Sequence, residues 1–130
     1  MSTLKAANIQ NTGSGAPTFK NSSGTEIGQL VKMWVNFKGT GTVAIRDDFN
    51  ASSITDNGTG DYTISFTNGM SGTNYCTLGT SNYEKALGGG RLFTSPRTHA
   101  TGSIRIQLLG DSGSSVAFDS EDVCVAIFEN

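Results

Sequence analysis

A single histidine, His99, stands in this 130-residue chain, with Ser95 and Thr98 beside it and Asp47, Asp48 and Asp111 as conceivable orienting acids. Nucleophilic catalysis needs serine, base and acid brought together in space, and no spacing here predicts that arrangement. The sequence also lacks a G-x-S-x-G nucleophile elbow. His99 therefore reads as a solvated or hydrogen-bonded loop histidine. Glycoside hydrolysis would need two carboxylates facing each other across a cleft. Asp47-Asp48 and Glu121-Asp122 are the pairs on offer, but neighbours in a strand point to opposite faces. Neither pair makes a site by itself, so no catalytic residue is assigned and the chain reads as no enzyme.

Gly39-Thr40-Gly41-Thr42-Val43-Ala44 fits the wording of a dinucleotide fingerprint, whose glycines open a helix that meets pyrophosphate. The residues that follow alternate like a strand, which makes this a hairpin turn. Asp56-Asn57-Gly58-Thr59-Gly60-Asp61 offers carboxylate and amide oxygens of the kind calcium accepts. It has neither EF-hand spacing nor the terminal bidentate Glu, and Asp, Asn and Gly have a turn chemistry of their own. No metal or other cofactor is expected. Two distant cysteines, Cys76 and Cys124, make neither a disulfide framework nor a zinc site, and they read as free, packed thiols. Asn21-Ser22-Ser23, Asn50-Ala51-Ser52 and Asn57-Gly58-Thr59 have the form of glycosylation sequons but read as turn residues.

The elements that must position these residues are strands. From Leu30 the chain alternates, with Val31, Met33, Val35 and Phe37 on one face and Lys32, Trp34, Asn36 and Lys38 on the other. The turn Gly39-Thr40-Gly41 leads to a second strand in which Val43 and Ile45 share a face. Asn57-Gly58 predicts a type I′ hairpin between Ile54-Thr55-Asp56 and a strand with Tyr62, Ile64 and Phe66 inward. Further strands are expected at 74–80, at 103–109 with Ile104, Ile106 and Leu108 inward, and at 122–129. The last is apolar on both faces, which places it centrally in a sheet or against a neighbouring subunit. Short strands with close turns and no helical period predict an all-β fold, an antiparallel β-sandwich of jelly-roll-like kind over residues 30–130. Residues 1–29 are Gly, Ser and Asn-rich and read as a short extended N-terminal arm, with extended pieces near 4–10 and 18–20.

Composition narrows the function classes. A net charge of -2, with nine Lys and Arg scattered along the chain, gives no basic stripe and argues against nucleic acid. No apolar run is long enough to cross a bilayer. The first residues lack the pattern of a secretory signal, so folding in a cytoplasm is expected. Residues 81–102 form the longest irregular stretch and the expected exposed functional loop. There Tyr83, Arg91, Phe93, Arg97 and His99 are candidate contacts to a glycan, since aromatics stack on sugars and Arg and His donate to hydroxyls. Trp34 is a large indole on an otherwise polar strand face and must be covered by the arm, by another subunit or by a sugar. It is the candidate oligomer contact.

The stretch Lys32-Met33-Trp34-Val35-Asn36-Phe37, then Gly39 to Arg46, then Ser53 to Thr63, resembles a segment of tail-fibre and related virion proteins of tailed bacteriophages, marine ones included. The resemblance covers residues 32–67. It implies a virion structural protein assembled in the host cytoplasm, a tail-fibre or knob-type component that forms a homotrimer and contacts the host surface through exposed loops. It implies no catalytic residue. About 30 residues precede the expected domain, with no heptads or repeat array, which equally suits a capsid decoration or head-fibre protein held to other virion proteins by its arm.

Overall fold

The computed structural model describes residues 5–6, 8–12, 17–82, 92–110 and 116–129. The chain divides into two compact units, residues 1–30 and 31–130. In the first, β1 (Phe19–Lys20) and β2 (Glu26–Gly28) pair antiparallel. Asn21 builds the turn between them: its Oδ1 accepts the amides of Ser23 and Thr25, and Gly24 takes a positive φ of 84°. The extended piece expected at 18–20 is β1, whereas the described residues among 4–10 lie outside any strand. β2 carries one apolar residue, Ile27, too few for alternation to reveal it.

The second unit is an antiparallel β-sandwich. Its strands are β3 (Val31–Lys38), β4 (Ala44–Phe49), β5 (Ala51–Asp56), β6 (Asp61–Phe66), β7 (Cys76–Ser81), β8 (Leu92–His99), β9 (Ser103–Gly110), β10 (Val116–Ala117) and β11 (Val123–Phe128). One sheet runs β4-β3-β11-β7. The other runs β5-β6-β9-β8, with short β10 pairing the end of β9. The central strands β3, β11, β6 and β9 each send three alternating side chains inward. Met33, Val35 and Phe37 meet Val123, Val125 and Ile127 from one sheet, and Tyr62, Ile64 and Phe66 meet Ile104, Ile106 and Leu108 from the other. Period-two patterning thus produces the core directly. Phe37 and Tyr62 join the layers edge to face, with ring centroids 5.2 Å apart.

The chain passes from β4 in one sheet to β5 in the other through Asn50, whose φ of 64° makes it the one described non-glycine residue in the left-handed region. Its side chain secures the corner. The amide group donates to the carbonyls of Lys32 and Asn68, and Oδ1 accepts the Asn68 backbone amide.

Four expectations need correction. The Asn57-Gly58 hairpin forms, but not as a two-residue type I′ turn: positive φ falls on Gly58 and Gly60, and the Asn57 amide donates to the Asp61 carbonyl. A tertiary contact decides this. Gly60 is held against the next segment, its amide donating to Asp119 Oδ1 and its carbonyl accepting from Leu108. Second, residues 92–99 are not loop but the edge strand β8, with a register shift between Pro96 and Thr98. Proline lacks a donor and is tolerated on an edge, where strand alternation is also weakest. Third, β11 is central, between β3 and β7, yet only one of its faces is buried; Cys124 on the other is exposed. Fourth, both cysteines are free as expected but exposed rather than packed. Cys76 lies opposite Phe128, four residues along β11 from Cys124, beyond disulfide reach within one chain.

Candidate functional site

The two outer faces of the sandwich differ in chemistry. On the β5-β6-β9-β8 sheet the cross-strand rows read Thr55, Thr63, Arg105, Thr98 and Ser53, Ser65, Ser103. Hydroxyls and charge make this a solvated surface. Arg105 grips Asp61 there with two parallel hydrogen bonds, Nε to Oδ1 at 2.8 Å and a terminal nitrogen to Oδ2 at 2.7 Å. The bonds from Arg105 hold the Asp61 carboxyl below its usual range. A carboxyl depressed in the folded state contributes stability above its unfolded value near 3.9 and loses it as pH falls through the folded value. We therefore expect an Arg105→Gln chain to lose less stability than the parent between about pH 4 and 2. Equal losses in urea titrations would contradict the pairing.

The outer face of the β4-β3-β11-β7 sheet carries one apolar row across its full width. Register places Phe49 beside Trp34, Trp34 beside Ala126 and Ala126 beside Leu78, one residue from each of the four strands. Phe49 is 52% and Leu78 57% exposed, and Trp34 is half-buried. Half-buried Phe128 and exposed Cys76 and Cys124 extend the patch. Scattered surface hydrophobics are ordinary, but a register-aligned row with a tryptophan at its centre marks an interaction surface.

The structure positions the expected contact residues unevenly. Trp34 faces outward, as its parity predicts. Tyr83, Arg91 and the Phe93 side chain lie outside the described residues. Arg97 is exposed at the β8 bulge and its guanidinium bonds Gln107. His99, two residues on, packs against Tyr75 with centroids 4.8 Å apart, and its Nε2 lies 3.4 Å from Thr77 Oγ1. The fold does not bring Arg97 and His99 together. Reading parity strand by strand missed Phe49 and Leu78. The β3–β4 register shifts between Asn36 and Phe37, which turns Phe49 to the face of Trp34. Leu78 shares its outward parity with Cys76 and Thr80, a pattern too polar to stand out.

Several of the carboxylates have partners, whereas Asp111 lies outside the described residues. Glu121 accepts from Thr40 and pairs with Lys38 and Arg46, while Asp122 pairs with Arg46 and accepts from Asn82. The Thr40 bond first, then the Lys38 and Arg46 charges, lower the Glu121 pKa. Asp48 accepts the Ala51 amide at 3.1 Å. Asp56 caps the Gly58 amide within its own turn. Among the described residues no group of three His, Cys, Asp or Glu could hold a metal ion.

Behind this rim lies a polar node. The Tyr62 hydroxyl sits 2.8 Å from the Gly39 carbonyl and 2.7 Å from Asp119 Oδ1, the atom that also accepts the Gly60 amide. Burial first, then the bond and charge of Asp119, push the Tyr62 pKa far up. An unfolded tyrosine ionises near 10. A raised folded pKa means stability that is complete below that value and falls as pH rises above it. Between about pH 10 and 11 a Tyr62→Phe chain should lose stability less steeply than the parent. Identical slopes would contradict the burial of this phenol.

Compared with known proteins, the chain matches no family model, no curated protein and no solved structure.

Proposed function

We propose that the chain is a non-catalytic structural component of a phage virion, a small fibre or knob-type module that assembles as a homo-oligomer, with a homotrimer expected. The observation that carries this reading is the outward-facing apolar row Phe49, Trp34, Ala126 and Leu78 across one sheet face. Such a face favours association because covering it removes apolar surface from water, at about 25 cal/mol per Å². The virion setting rests on the resemblance of residues 32–67 to fibre-type proteins, a stretch that spans strands β3 to β6. Residues 1–29 are the proposed attachment to other virion proteins, on a tail or a capsid.

Light scattering on the intact chain tests the assembly step. Three times 13.6 kDa is the expected mass. A single-chain mass throughout the micromolar range would reject self-assembly and leave a module held only by its virion neighbours.

A further inference from the structure

The outer face of the β4-β3-β11-β7 sheet is divided into a bulky half and a small half. β4 and β3 present Phe49 and Trp34, whereas β11 and β7 present Ala126, Cys124 and Thr80, with Gly79 behind them and Leu78 at the far margin. A depression of about 510 Å³ opens over the small half, walled by Trp34 on one side and Leu78 on the other. Ridge and hollow lie side by side on one surface, in the same register rows.

We propose that this hollow is filled by a second copy of the chain: Trp34 and Phe49 of one copy seat against Ala126, Cys124 and Leu78 of the next. The inference rests on the self-assembly proposed above and assigns it a surface. It follows from how symmetry acts on the rows. An axis parallel to the strands keeps each row level with the same row of the neighbour and turns the bulky half of one copy toward the small half of the next. Trp34 and Phe49 then face Ala126 and Leu78, and Asn36 and Asp47 face Cys124 and Thr80. Bulk meets space in the apolar row, and no like charges face each other in the next. Asn36 is already matched to a thiol within its own chain, Nδ2 lying 3.0 Å from Cys124 Sγ. An axis in the sheet plane but across the strands instead stacks Trp34 on Trp34 and leaves the hollow empty.

The three-fold ring expected above sets the bulky half of each copy against the small half of the next.

The test compares the intact parent with Ala126→Trp, which fills the hollow, and Leu78→Lys, which places a charge on its margin. Both positions point outward, so far-UV circular dichroism and thermal melts should show an intact fold. Both variants are expected to fall to a single-chain mass by light scattering where the parent remains assembled. In the parent, emission from Trp34, the sole tryptophan, should shift to the red on dilution. Folded variants that keep the parent's mass would overturn this contact and leave the virion reading standing. A single-chain parent would overturn both the contact and self-assembly. A parent mass of two chains would overturn the three-fold closure.

Discussion

Gly60→Ala is expected to lower the unfolding free energy by about 3 to 5 kcal/mol, one of the largest single-residue effects in this fold. Two causes add. At φ 65° a side chain costs about 1–2 kcal/mol in the left-handed region. A Cβ there would also lie 2.7 Å from the Phe118 carbonyl oxygen, 2.8 Å from its nitrogen and 2.9 Å from the Leu108 carbonyl oxygen. These are backbone atoms, and moving them breaks the 2.7 Å bonds that Gly60 makes with Leu108 and Asp119. Gly41→Ala is the control, with a φ of 61° and open space around its Cβ position. It should cost about 1–2 kcal/mol, from backbone strain alone. Urea midpoints for the two variants separate strain from collision, and equal losses would remove the packing argument.

The second large effect is expected at Tyr62. Its ring is fully buried and spans the two sheets against Phe37, and its hydroxyl reaches the β3–β4 turn at Gly39 and the segment before β11 at Asp119. Tyr62→Ala opens a cavity between the layers and should cost about 3–5 kcal/mol, as aromatic truncations do. Tyr62→Phe keeps the ring and removes only the hydroxyl, a loss of about 1 kcal/mol. Equilibrium denaturation of both chains divides packing from hydrogen bonding. A Phe variant as damaged as the Ala variant would mean that the polar node, not the ring, holds this end of the sandwich.

Much of the core was legible because it rests on one simple period. The inward residues of β3, β6 and β9 follow from alternation alone, as does the outward turn of Trp34. What escaped depends on contacts distant in sequence. The Asn57-Gly58 pair signals a hairpin correctly, but the turn type is set by Gly60 docking against Phe118 and Leu108. The sheet-to-sheet corner at Asn50 rests on its bonds to Lys32 and Asn68, neither of them near in sequence. β8 carries Pro96 and a bulge on an edge, where neither face imposes strict alternation. The apolar row is the instructive case. Trp34 alone suggests a contact, but Phe49, Ala126 and Leu78 join it only through the registers of three separate strand pairs. No local pattern in the sequence carries those registers.

The registers also give polar side chains partners that lie far off in sequence. Glu121 and Asp122 bind Arg46 and the ends of neighbouring strands, Asp61 is clasped by Arg105, and His99 leans on Tyr75.

The central proposal, that this chain is a structural part of a virion, is tested most directly by quantitative mass spectrometry of purified, extensively washed particles of a phage whose genome carries this sequence. The account predicts the chain in the particles at a fixed copy number divisible by three. Its presence in the infected-cell lysate but absence from washed particles would contradict it.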